Sequence, residues 1–322
     1  MKQIGKKNIW KMSMICNTVL EAIGNTPLIR LNRMVDEDSA EILVKYEGIN
    51  VGGSVKTRTA YAMIQSAIDA GIVTKDSIIV EPTSGNQGIG LALTGAVLGI
   101  RVIIIMPDSV SAERRKLVRQ YGAELRLIHD DGDIGKCIQD CILAAEEMRR
   151  ADPRVWVPGQ FSNPANPQAQ RNTTAAEILM QADKPIHGFC SGIGTGGTLS
   201  GIGNALREKN PDMTIWAVEP EKAAILSFGR TGTHLQMGIG DGLIPDNLDR
   251  NVYDDICIVT DEEAMKTSQR LAREEGILCG VTSGTNVAAA IKLAKKLGPG
   301  KTVVTLLPDT GERYFSTELF EE

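Results

Sequence analysis

Three glycine-bearing turns carry the residue types that could do chemistry. The first, Asn50-Val51-Gly52-Gly53-Ser54-Val55-Lys56, leads into a run of helical period and puts a lysine in the first helical turn. A cation at the positive end of a helix is unfavourable, so such a lysine tends to have a depressed pKa or a specific task. A depressed-pKa amine is what imine chemistry needs, although by spacing alone the simpler reading of Lys56 is one more solvated lysine.

The second turn, Pro82-Thr83-Ser84-Gly85-Asn86-Gln87-Gly88, joins an apolar run to a helical one. Its hydroxyls, amides and backbone donors at a helix N-terminus suit a carboxylate, while the simpler reading is a tight turn with Ser and Asn as caps. The third, Ser191-Gly192-Ile193-Gly194-Thr195-Gly196-Gly197-Thr198, holds four glycines before a helix, and phosphate is its natural occupant. Thr195 and Thr198 add hydroxyl donors. This segment also fits the dinucleotide fingerprint through Gly192, Gly194 and Gly197, with Glu219 22 residues past Gly197, so a nicotinamide-dependent dehydrogenase is a rival on that segment alone. Gly300-Lys301-Thr302 ends like a nucleoside-triphosphate loop, but Lys295 stands where its first glycine should be.

Such turns need strands before them and helices after them. From residue 41 onward short β-branched runs alternate with longer amphipathic ones, which predicts βαβ units and an α/β fold with a mainly parallel sheet. Strands are predicted at 77–82, 101–107, 124–130, 186–191, 214–220 and 302–309, because runs buried on both faces read as continuous apolar stretches. Helices are predicted at 54–71 and 111–122, each closed by a glycine, and over 198–208. The Pro- and Asn-rich segment 157–168 marks a crossing between lobes.

Composition sets the outer bounds. Among 322 residues, 42% are hydrophobic and 23% charged, as in ordinary folded proteins. With 35 Lys+Arg against 40 Asp+Glu and no basic stripe, nucleic acid is not an expected partner. No apolar run is long enough to span a bilayer. The basic stretch Met1 to Cys16 reads as a tail. Six scattered cysteines and three isolated histidines lack ligand spacing, so no metal is expected and free thiols in a reducing cytoplasm fit best.

Taken together, Asn50–Lys56, Pro82–Gly88, Gln160-Phe161-Ser162-Asn163-Pro164-Ala165-Asn166-Pro167, Gly194–Thr198, Gly238-Ile239-Gly240-Asp241-Gly242 and Pro308-Asp309-Thr310-Gly311-Glu312-Arg313-Tyr314 resemble, in order and spacing, the cysteine synthase family of pyridoxal-phosphate enzymes. The similarity runs from about Asn17 to Phe315. It implies the tryptophan-synthase-β-like fold (fold type II), commonly a homodimer, with a large domain from 1–44 plus 155–322 and a smaller mobile domain from 45–154. It implies that Lys56 carries pyridoxal phosphate as an internal aldimine and that Gly194, Thr195, Gly196, Gly197 and Thr198 bind its phosphate. Asn86 would meet the phenolic oxygen and Thr310 the pyridine nitrogen. Thr83, Ser84, Asn86, Gln87 and Gln160 would bind the substrate carboxylate. The implied chemistry is β-elimination or β-replacement through an aminoacrylate, with the freed lysine as general base.

Val51, Gln87, Thr310 and Asp241 depart from the family's usual proline, threonine, serine and small uncharged residue. Asp241 matters most, because a carboxylate beside the active site needs a partner or a role. Facing the substrate, it would disfavour hydrosulfide and favour activated water. The expectation is therefore release of hydrogen sulfide from L-cysteine, giving L-serine or a thioether. The alternatives are a cysteine synthase using O-acetyl-L-serine and sulfide, a diaminopropionate- or cyanoalanine-forming relative, and a catalytically silent one.

Overall fold

The computed structural model describes residues 15–132 and 134–320. The basic tail, except Ile15 and Cys16, and the terminal Glu321-Glu322 lie outside the described residues. In chain order the strands are β1 (Leu28–Arg30), β2 (Glu41–Tyr46), β3 (Ile78–Pro82), β4 (Arg101–Pro107), β5 (Glu124–Ile128), β6 (Val155–Trp156), β7 (Gly188–Gly192), β8 (Thr214–Pro220), β9 (Asp255–Val259) and β10 (Thr302–Leu307). The helices that bear on the site are α1 (Lys56–Asp69), α2 (Asn86–Leu98), α3 (Ala112–Gln120), α4 (Ile134–Ala151), α5 (Gly197–Arg207) and α6 (Val281–Leu297).

The strands form two sheets. One has the order β1-β2-β10-β7-β8-β9 and the other β5-β4-β3-β6. All pairings are parallel except β1 with β2. In a parallel sheet covered by helices the strands lose both faces to the core, hence the unbroken apolar runs: Ile103, Ile104 and Ile105 of β4 and Val303, Val304, Leu306 and Leu307 of β10 are all 2% exposed or less. β2 runs on to Tyr46 within the six-stranded sheet, past the change of lobe expected at 44/45.

Strands 101–107 and 214–220 match the sequence expectation residue for residue. Strands β1, β2, β6 and β9 were not among the predicted runs: β6 spans only two residues, and β9 begins on an exposed aspartate.

Beneath the first glycine-rich turn lies a buried charge network. Lys45 Nζ donates to Glu177 and to the Thr26 carbonyl, each at 2.6 Å, and to Gln181 at 2.9 Å. Arg58, in the first turn of α1, is shared between Glu47 (2.7 Å) and Glu177 (2.6 Å). Burying four charges is tolerable because the cations and acids are paired within one hydrogen-bonded cluster. The arginine holds Glu177 down at about 2, against the push of burial. This cluster fixes the start of α1, and Lys56 with it.

Candidate active site

A cleft opens where the two sheets present the carboxyl ends of their parallel strands, the place where open α/β sheets bind ligands. Lys56, Thr83–Gln87, Gln160, Gly194–Gly196, Thr198 and Asp241 all line it. These come from separate stretches of chain that only the fold brings together.

Lys56 is positioned from both sides. Gly53 turns the chain with φ +70°, its N–H donating to the Asn50 carbonyl at 2.6 Å, and the Val55 N–H donates to Pro308 O at 2.8 Å at the exit of β10. Burial lowers the pKa of Lys56, while the Asp241 and Glu81 carboxylates pull the other way. Asp241 is raised by burial, and the fields of Lys56 and His234 oppose that rise. Glu81, at the end of β3, is pushed up to about 7 by burial, although it accepts the backbone N–H groups of Gln160 and Gly159 at 3.1 Å each. Two acids therefore act on one amine in a poorly solvated place, which is where proton-transfer groups are built.

The Gly194–Thr198 turn leads into α5, whose N-terminus has no side-chain cap and whose preceding Gly196 has φ +77°. The Thr195 hydroxyl accepts from Asn166 Nδ2 at 2.9 Å, so its own proton is free to donate into the turn. Uncapped N–H groups, the helix dipole and two hydroxyls fit a phosphate. Gly197 belongs to the turn, but it is not in the cleft wall.

The Thr83–Gln87 turn opens α2, again without a side-chain cap. Asn86 Nδ2 donates to Asp309 at 2.6 Å while its Oδ1 accepts from Arg313 at 2.6 Å, leaving one amide hydrogen unspent. Gln87 accepts from Thr59 at 3.0 Å, and its buried Nε2 has no partner. Unspent donors around an uncapped helix start are what an anionic ligand would satisfy.

Asp241 stands in a loop of left-handed glycines, Gly238, Gly240 and Gly242. The loop is docked on the phosphate turn by Gly240 N–H to the Ile193 carbonyl (2.9 Å) and on α6 by the Thr282 hydroxyl to the Met237 carbonyl (2.7 Å). Thr310 departs from its expected place. It bridges Cys279 through the backbone and is absent from the cleft wall, where Asp309 and Thr282 stand instead. Sequence reasoning also passed over Glu81, Arg114 and Asn286, which accepts the Gly192 N–H at 2.7 Å. Only Glu81 left a signal, a lone acid inside an apolar strand.

Known proteins resemble this chain along most of its length. The pyridoxal-phosphate dependent enzyme family covers residues 19–309. A cysteine synthase of Staphylococcus aureus is 45% identical over 305 residues, 94% of this chain and 97% of its own. The chain is a pyridoxal-phosphate dependent enzyme of the cysteine synthase family. A probable cysteine synthase of Bacillus subtilis is 45% identical over 312 residues, 96% of this chain and 99% of its own. Among solved structures, an O-ureido-L-serine synthase superposes with a TM-score of 0.90 at 42% identity, over 95% of this chain and 96% of that one. A hydrogen sulfide-producing enzyme from Fusobacterium nucleatum gives 0.88 at 40% identity, over 93% of this chain and all of that one. The fold is thus fold type II, and the chemistry is pyridoxal-phosphate β-elimination and β-replacement.

Proposed function

We propose that this enzyme consumes L-cysteine, releasing hydrogen sulfide and forming L-serine when water adds, or a thioether amino acid when a thiol adds. With water the reaction balances as L-cysteine plus water giving L-serine plus hydrogen sulfide. The observation that carries this direction is Asp241, an acid in the cleft wall whose charge acts directly on Lys56.

Lys56 is assigned the covalent attachment of pyridoxal phosphate through Nζ. Gly194, Thr195, Gly196, Gly197 and Thr198 hold its phosphate, and Asn86 its phenolic oxygen. The neutral hydroxyl assigned to the ring nitrogen passes from Thr310 to Thr282, the one in the cleft wall. Bound there, the cofactor supplies the electron sink that lets a substrate α-proton leave. Thr83, Ser84, Asn86, Gln87 and Gln160 orient the amino acid by its carboxylate. The Lys56 amine, its pKa lowered by burial, takes the α-proton and returns it to the departing thiolate. Asp241 repels hydrosulfide and takes a proton from water or a thiol at its carboxylate oxygen, a task its raised pKa suits, and passes it to the Lys56 amine, which returns it to the α-carbon. A structural relative supports this reading: a hydrogen sulfide-producing enzyme, 34% identical, whose aspartate-to-asparagine mutant was solved with an α-aminoacrylate intermediate.

The test offers purified enzyme either L-cysteine or O-acetyl-L-serine plus sulfide, following sulfide and serine. Faster turnover of cysteine supports the proposal, and a strong preference for O-acetyl-L-serine makes the enzyme a cysteine synthase. Borohydride reduction followed by peptide mass analysis locates the cofactor; modification anywhere but Lys56 refutes that assignment. The buried, unpaired cysteines support a reducing, cytoplasmic setting, and no helix among the described residues is long and apolar enough to cross a membrane. The homodimer implied by the family resemblance is part of the proposal, and its mass in solution tests it.

A further inference from the structure

One cation of the cleft has no part in the roles assigned so far. Arg114, in the first turn of α3, is 3% exposed and lines the cleft. Among the described residues no acid stands within ion-pair distance of it. Its Nε has no hydrogen-bond partner. Nη1 donates to the thioether sulfur of Met237 at 3.1 Å, and the guanidinium lies 4.8 Å from the centre of the Tyr314 ring. A thioether is a weak acceptor and a ring face a partial counter-charge, so this guanidinium is buried without an adequate partner.

Its neighbour is the Thr83–Gln87 turn. A side chain on Gly85 would put its Cβ 3.3 Å from Arg114 Nε, so the glycine is what lets the guanidinium come up against the turn. The donors of that turn are all neutral, and Gln87 Nε2, also buried, is unsatisfied as well. Two unpaired, buried donors from different elements thus meet at one short segment of the cleft wall. A planar guanidinium is suited to a carboxylate.

We propose that Arg114 binds the α-carboxylate of the amino-acid substrate and supplies the positive charge that the turn lacks. The inference rests on the Thr83–Gln87 turn being the carboxylate cradle. Arg114 then reads the carboxylate from the smaller sheet's side of the cleft.

The test uses holoenzyme and two unreactive probes, L-alanine and L-alaninamide, titrated by the shift in the cofactor's absorption. The amide keeps the amine and the side chain but lacks the carboxylate. Arg114→Met is expected to lose roughly 10- to 100-fold in affinity for L-alanine, with little change for the amide. Arg114→Lys should lie between, because it keeps charge and loses the planar fork. Gly85→Ala, which displaces the guanidinium without removing it, should shift L-alanine affinity the same way by a smaller factor. Equal losses for both probes, or none for either, overturn the proposal and leave Arg114 a clasp between α3 and Tyr314. If Arg114→Met does not fold, Arg114→Lys and Gly85→Ala decide by the same comparison. A wild type whose affinities for the two probes are equal overturns the cradle reading itself, and the proposal with it.

Discussion

Asp241 and Glu81 act on one amine, yet substitution should affect them differently. Asp241→Asn keeps the loop's shape and removes the charge, so we expect cofactor content to hold while sulfide release with serine formation falls by about 10-fold or more, the scale of a lost acid–base group. Unchanged turnover would place the carboxylate outside the chemistry. Glu81 is a buried acid raised to about 7, so between pH 4.5 and 7 the folded state holds a proton that the unfolded chain has released. Stability contributed by this group therefore declines as pH rises through that window, by up to about 3 kcal/mol. Glu81→Gln should flatten that part of the pH profile, measurable by urea unfolding at pH 5 and 7.5. At this scale the sequence was legible where chemistry coincided with glycine. The phosphate turn announced itself because few structural needs call for so many glycines after a strand, whereas Lys56 stood out only through the resemblance to a known family. Thr310 was misplaced because one step along an irregular segment exchanges the side chain facing the cleft for one facing away. Arg114 was invisible among the charges of 111–122, which read as a solvated helix face until packing buries one of them.

Among the elements, α1 depends most on charge. Its first turn carries both Lys56 and Arg58, and the latter is locked to Glu47 and Glu177. Glu177→Ala leaves Lys45 and Arg58 with too little negative charge, and breaking a buried pair in this way costs about 3–5 kcal/mol. We expect a lower urea midpoint and weaker cofactor retention, since α1 presents the lysine. The wild-type contribution of Glu177 is present at neutral pH, where the carboxylate is ionised in both folded and unfolded chains. It fades as pH falls from 4.5 toward 2, because the folded state resists protonation. The long strands and helices were readable because apolar runs and glycine caps are local signals. The network was not, since its members lie up to 155 residues apart, from Thr26 to Gln181, and only folding brings them together.

For the molecule as a whole, the cleft draws its walls from both sheets, so a cofactor held there joins two bodies that pack around separate cores. Binding to the native state alone stabilises it by mass action. Removing pyridoxal phosphate should therefore lower the melting temperature and split one unfolding transition into two, and adding it back should merge them, as calorimetry would record. A single transition in both forms would mean that the sheets are coupled by protein contacts alone. The order of segments along the chain was readable from the alternation of apolar runs and helical stretches.

The loop bearing Asp241 and the turn assigned to phosphate touch backbone to backbone: a methyl group on Gly194 would strike the Gly238 carbonyl, and the Gly240 amide is already committed to Ile193. An engineer who retunes the nucleophile preference by editing 237–242 is consequently also adjusting the cofactor's anchor. The practical route is to vary only the side chain at 241 and leave the flanking glycines intact. Laboratory selections for new thioether products should recover changes at that single site more readily than insertions or deletions beside it.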